Sequence, residues 1–229
     1  MKSAKKKPTS TAPKKVLLVD DHPIMRQGLA LLISSDPGFV ICGEAETAAQ
    51  ALEAARTTKP DIVLTDITLP GKNGIELIKD LLAMYPGLPV LVLSMHDESM
   101  YAERVLRAGG RGYVMKQEGG QKLLDAIRRV LAGGIFVSDR MSANILEIFS
   151  GHRDESSGSP VSRLSDREFE VFQLIGQGRS TKEIAASLNL SAKTVEVHRL
   201  NIKQKLDIHT AGELIHYASR WTEAERNKA

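Results

Sequence analysis

The chain has 229 residues, 42% hydrophobic and 26% charged, enough for two domains and ordinary for a soluble globular protein. No apolar stretch approaches the ~18 residues of a membrane span, and residues 1–15 are basic and polar without an apolar run, so a cytoplasmic protein with no membrane partner is expected. The single cysteine, Cys42, excludes an internal disulfide and a cysteine-rich metal site, and is read as a core residue.

The net charge of +3 is unevenly spread. Residues 1–15 carry six lysines and no acid; residues 16–160 carry 14 Lys and Arg against 19 Asp and Glu; residues 161–229 carry 11 against 9. The Lys, Ser, Thr and Pro composition of the start reads as a disordered, solvated arm. An acidic first domain beside a mildly basic second one fits a metal or phosphate machine joined to a nucleic-acid binder.

After the arm, apolar runs alternate with segments of helical spacing. Strands are expected near 16–20, 38–43, 61–66, 89–94 and 112–115, and helices near 23–35, 47–58, 74–84, 98–108 and 119–132. Pro60, Pro86 and Pro89 fall before strands and stop the preceding helices. Five alternating strands and helices imply right-handed crossovers and a parallel sheet covered on both faces. A further helix is expected near 139–149, and the Gly, Ser and charged stretch 151–160 reads as a linker. Beyond it every segment reads helical. The Ser/Thr-x-x-Glu spacing at Ser165/Glu168, Ser180/Glu183 and Thr210/Glu213 marks three helix starts, and another is expected near Ser191.

The strands end on residues of a particular kind. Val16–Val19 runs into Asp20 and Asp21, Ile62–Thr65 into Asp66, Val90–Leu93 into Ser94, and Gly112–Met115 into Lys116. Ligands of parallel sheets gather outside the carboxyl ends of the strands, so these side chains should converge. Three converging carboxylates repel one another unless a cation sits among them, and a hard divalent ion such as magnesium suits oxygen ligands. Lys116 can neutralise a phosphoryl group and Ser94 can donate to it. Without a Gly-rich phosphate loop a nucleotide is not indicated, which leaves a carboxylate as the phosphoryl acceptor. Each residue alone has a plainer reading: Asp21 and Ser94 as helix caps, Lys116 as a solvated strand end, Tyr113 as a packing residue. Asp66 is harder to dismiss, since an acid after four apolar residues is costly without a partner. His22 and His96 are read as surface residues near the site.

The sequences Val19-Asp20-Asp21-His22-Pro23, Thr65-Asp66-Ile67-Thr68-Leu69-Pro70-Gly71-Lys72-Asn73-Gly74, Leu93-Ser94-Met95-His96 and Gly112-Tyr113-Val114-Met115-Lys116 resemble those of response-regulator receiver domains, in order and spacing. The resemblance implies a five-stranded, parallel, doubly wound (flavodoxin-like) α/β fold over residues 16–135. It implies Asp66 as phosphoacceptor from a sensor histidine kinase, Mg2+ held by Asp20, Asp21, Asp66 and the backbone carbonyl of Thr68, and catalytic assistance from Lys116 and Ser94. Ser94 and Tyr113 would form a switch pair, the hydroxyl moving toward the phosphoryl group and the ring following inward. Gln117 follows Lys116 where many receivers have a cis proline, so no slow isomerisation is expected there.

In the second half, Ile184, Ala185 and Leu188 lie on one side of a short helix, Asn189-Leu190-Ser191 makes a turn, and Val195, His198, Ile202 and Leu206 recur at helical spacing. This is a helix-turn-helix pattern, whose second helix enters the major groove. The segments 164–168, 178–185, 191–199 and 205–206 resemble the LuxR-type DNA-binding domain, and with the receiver they resemble the NarL/FixJ group of response regulators. The resemblance places Lys193, Thr194, Glu196, Val197, Arg199, Leu200 and Lys203 near double-stranded DNA. Glu196, where relatives often carry lysine, points to altered base choice or to an intrahelix partner such as Lys203. Trp221 is expected to pack a terminal helix.

The implied organisation is a disordered arm (1–15), a receiver (16–135), a linker with a helix (136–163) and an all-α helix-turn-helix domain (164–229). The implied function is a two-component response regulator that dimerises when phosphorylated and regulates transcription, not an enzyme beyond its own phosphotransfer and dephosphorylation. Two rival readings stand beside it. A magnesium-dependent aspartyl-phosphate phosphatase should show Asp-x-Asp, which Asp66-Ile67-Thr68 lacks; an output domain that binds protein should ignore salt and duplex DNA.

Overall fold

A computed structural model describes residues 12–139, 141–143 and 160–226. Residues 1–11 of the basic arm, and most of the expected linker and its helix, lie outside these residues, while Lys14 and Lys15, expected in the arm, instead open the first strand. The first domain alternates β1 (Lys14–Val19), α1 (Pro23–Ser34), β2 (Phe39–Ala45), α2 (Ala48–Thr58), β3 (Ile62–Thr65), α3 (Gly74–Met84), β4 (Val90–Ser94), α4 (Glu98–Arg107), β5 (Gly112–Met115) and α5 (Gly120–Leu131). The strands pair in parallel in the order β2-β1-β3-β4-β5, the doubly wound α/β architecture expected.

Side chains alternate along a strand, so each apolar run feeds two cores. Leu17, Val63, Val92 and Tyr113 belong to the core that includes Ala51, Ile78 and Val105 of α2, α3 and α4. Leu18, Leu64, Leu91 and Val114 belong to the other, with Ile33 of α1 and Ile127 of α5. The strand order reverses between β1 and β3. There the chain leaves the sheet at Asp20 and Asp66, on adjacent strands whose registers pair Val19 with Thr65. Cys42 is half-buried on β2 and its thiol donates to Thr58 Oγ1, a correction to its reading as a buried core residue.

The second domain has a 3-10 turn (Pro160–Arg163) and helices α6 (Asp166–Gly176), α7 (Thr181–Ser187), α8 (Ala192–Leu206) and α9 (Ala211–Arg226). The capping pairs form as the sequence predicts: Ser165 with Glu168, Ser180 with Glu183 and Thr210 with Glu213 each exchange side-chain bonds for backbone amides, and Ser191 accepts from Thr194. Trp221 of α9 meets Phe169 and Phe172 of α6 edge-on, as expected of a terminal packing residue.

The two domains share a packed junction. Arg104 of α4 donates to the carbonyls of Leu164 and Val161 at 2.9 Å and lies 4.2 Å over the Phe169 ring. Tyr101 of α4, 1% exposed, donates its hydroxyl to Gln173 Oε1, and Lys79 of α3 reaches Asp166 at 2.7 Å.

Candidate functional site

The strand ends do converge. Lys116 Nζ, buried, donates to Asp20 Oδ2 and Asp66 Oδ2, both at 2.6 Å. Asp66, 5% exposed, turns its other oxygen to the amides of Ile67 (2.6 Å) and Thr68 (3.4 Å). Asp20 Oδ1 accepts from the His22 amide, and Arg26 of α1 donates to the Asp20 carbonyl at 2.6 Å, fixing the loop from behind. Burial would lower the Lys116 pKa, but Asp66 and Asp20 outweigh it and hold the ammonium above its ordinary value. Burial raises the Asp21 carboxyl, His22 opposes that, and Asp20 and Asp66 raise it further.

The ligand atoms of Asp20, Asp21, His22 and Asp66 all lie within 4.8 Å of one another. Asp21 Oδ1 is buried and, although His22 Nδ1 lies 2.8 Å away, receives no hydrogen bond of acceptable geometry. An unsatisfied carboxylate oxygen beside two more carboxylates is an oxygen donor set that fits a hard divalent cation. The loop after β3 is held tightly: a Cβ on Gly74 would fall 2.0 Å from the Asp66 carbonyl oxygen, so it closes against α3 only with glycine there.

Ser94 is fully buried at the end of β4, and its Oγ accepts from the His96 amide at a long 3.4 Å. Tyr113 is already inside, 1% exposed, with its hydroxyl donating to the His96 carbonyl at 2.8 Å. His96, expected at the surface, is instead half-buried. Its Nε2 shares a hydrogen bond with Thr68 Oγ1 at 3.0 Å, and its ring lies 5.0 Å from that of Tyr101, tilted by 41°. Burial lowers its pKa against the pull of Asp66. No sequence signal points to this: a histidine two residues after a strand has no periodic signature, and its partners are distant in the chain.

On α8, Lys193, Glu196, Val197 and Leu200 are exposed, while Thr194, Arg199 and Lys203 are half-buried. Arg199 keeps only 14% of its side chain in solvent, so it is less available than the sequence reading placed it. Glu196 has no bond to Lys203. Its Oε1 instead accepts from Thr181 Oγ1 of α7 at 2.7 Å, with Arg199 Nε at 3.9 Å. Val195 and Ile202 are fully buried, as expected, and hold α8 against the rest of the domain, whereas Leu206, expected in the core with them, is only half-buried at its edge.

Comparison with known proteins agrees with this geometry. Residues 16–128 match the response regulator receiver domain, and residues 162–218 match the bacterial regulatory proteins of the luxR family. The chain is 32% identical to the transcriptional regulatory protein DegU of Brevibacillus brevis, over 85% of this chain and 88% of that protein. It is 34% identical to the nitrate/nitrite response regulator protein homolog of Haemophilus influenzae, over 86% and 91%. A solved structure of RcsB from Salmonella enterica serovar Typhimurium, bound to a promoter in the presence of a phosphomimetic, superposes with a TM-score of 0.60 at 28% identity, covering 90% of this chain and 98% of that one. With sheet order, strand-end carboxylates and helix-turn-helix all in place, the chain belongs to the response regulators that join a receiver to a LuxR-type DNA-binding domain.

Proposed function

We propose that Asp66 accepts a phosphoryl group from a phosphohistidine of a sensor histidine kinase, and that the phosphorylated chain binds double-stranded DNA as a homodimer in the cytoplasm. The observation that carries this is Lys116 bridging Asp20 and Asp66 beside the unsatisfied Asp21 oxygen. Three carboxylates and one ammonium leave two negative charges, the complement of a divalent cation. Asp20, Asp21 and Asp66, with the Thr68 carbonyl, are the residues that would hold Mg2+, which when bound supplies charge neutralisation at the phosphoryl oxygens.

In the transfer an Asp66 oxygen forms the O–P bond as the P–N bond breaks; the departing imidazole nitrogen takes the P–N electron pair and then a proton from solvent. Lys116 follows the phosphoryl charge, and Ser94 turns its hydroxyl from the His96 amide toward it. The product stays on Asp66, so the chain is a switch and not an enzyme with an external substrate; Thr68 stands where a phosphatase of this kind would need its second acid.

The route to the output domain is short. Thr68 bonds His96, His96 packs its tilted ring against Tyr101, and Tyr101 bonds Gln173 of α6 and meets Phe169 edge-on at 5.3 Å. Displacing the loop after Asp66 therefore disturbs the junction, shifting a population between packed and released output domains. Duplex binding measured with and without a small acyl phosphate plus magnesium tests this. The donor should tighten binding of the wild type and leave Asp66→Ala unmoved; a donor-independent affinity shared by both would sink the switch.

A further inference from the structure

Glu196 is an acid on the face of α8 that is otherwise built to meet a duplex. Lys193, Glu196, Val197 and Leu200 recur at helical spacing on the outward side, opposite buried Val195 and Ile202. Val197 and Leu200 are each half exposed, and side chains of that size gain by being covered. A carboxylate at this place repels phosphates, so if α8 lies in a groove the acid has to find a hydrogen-bond donor on a base.

Its conformation is not that of a free surface glutamate. Thr181 Oγ1, from the neighbouring helix, donates to Oε1 at 2.7 Å, and Arg199 Nε lies 3.9 Å from the same oxygen. The side chain is 60% exposed, so one oxygen is tethered and the other remains available. Tethering removes the rotamer freedom that a solvated glutamate keeps, so the carboxylate is already held in place before any partner arrives.

Base edges in the major groove leave one match. Guanine offers two acceptors, thymine an acceptor and a methyl group, and adenine a donor flanked by an acceptor that repels a second carboxylate oxygen. Cytosine offers its N4 amino group alone. We propose that Glu196 reads the N4 amino group of a cytosine in the operator, with Thr181 as the positioning residue that holds the carboxylate toward it. This rests on the DNA-binding reading above.

The test is selection of duplexes from a randomised pool by the full-length chain, with a small acyl phosphate and magnesium, followed by affinity measurement on single-base variants of the selected site. The wild type should favour cytosine over thymine at one position of each half-site by about tenfold. Glu196→Gln should move that preference to adenine, whose N6 and N7 match an amide, and leave the other positions alone. Thr181→Val should shrink the cytosine preference at least threefold, and Thr181→Ser should restore it, which a merely structural role for the hydroxyl would not produce at a single base position. A Glu196→Gln profile superimposing on the wild type's would overturn the assignment while leaving DNA binding intact. No enriched sequence for the wild type, with or without the donor, would overturn both.

Discussion

Lys116 holds two carboxylates at once, and little else in the fold neutralises them. Removing one member of a buried ion-paired group leaves an uncompensated charge, a loss of about 3 kcal/mol or more. Lys116→Gln should therefore melt several degrees lower than the wild type in the absence of divalent ions. Magnesium should raise its melting point more than it raises the wild type's, because the cation replaces the missing charge; equal shifts would mean that the ion does not sit among Asp20, Asp21 and Asp66. In the wild type a proton on Asp21 competes with the cation. Its raised pKa means that acid weakens the magnesium-induced stabilisation, and Asp21→Asn should reduce that stabilisation at neutral pH as well. The strand-end site was legible because an acid or a lysine after an apolar run is conspicuous by its cost. The supporting residues were not. Arg26, His96 and Asn73 lie in helices and loops where polar residues are ordinary, and only the fold shows Asn73 fully buried as the cap of α3.

At the level of elements, the helix starts were readable from Ser/Thr-x-x-Glu spacing because the signal is local: a cap needs only its own turn. The strand runs were readable for the same reason, and the observed strand boundaries lie within two residues of expectation, β5 matching at both ends. Contacts between helices carry no such local mark. Gly176 shows this: a Cβ there would meet Thr222 Oγ1 at 2.3 Å and the Ala218 carbonyl oxygen at 2.6 Å, so α6 and α9 cross at glycine distance. Gly176→Ala should force the two helices apart and cost about 1–3 kcal/mol, read as a lower midpoint of denaturant unfolding. Gly212, where a methyl group would meet nothing within 4 Å, is the control, and its alanine variant should not lose stability.

For the whole molecule, the junction is the part that no sequence pattern announced. Tyr101, Arg104, Glu170 and Gln173 belong to no motif or spacing picked out in the sequence, yet Tyr101, Glu170 and Gln173 are buried. Glu170 bonds Arg167 at 2.6 Å but leaves its Oε1 unpartnered, and the Asn73 Nδ2 is likewise without a partner. Burial pushes the Glu170 carboxyl up to about 7, against the opposing pull of Arg167 and with a smaller push from Glu76. A carboxyl raised in the packed form binds a proton that the opened or unfolded form has released. Packing is thus most favourable below the ordinary carboxylate range, weakens as the pH rises from about 4.5 to about 7, and changes no further above that. Melting curves across this range should fall for the wild type and flatten for Glu170→Gln; parallel curves would place the pH dependence elsewhere. Arg104→Ala, which strips the Leu164 carbonyl of its donor, the Val161 carbonyl of one of its two and Phe169 of its cation, should release the output domain without phosphorylation, seen as a larger radius of gyration in solution scattering and as donor-independent DNA binding.

Trp221 is the only tryptophan in the chain, and its ring lies 5.4 Å from Phe169, whose ring in turn lies under Arg104 and against Tyr101. The indole is therefore one aromatic ring away from the boundary between the domains, on the output side, with no second indole to blur its emission. Parting of α4 from α6 rehydrates that cluster and shifts the emission to the red, so the protein carries an intrinsic optical gauge of its own opening that needs no label and can be followed in real time as the phosphoryl donor is added.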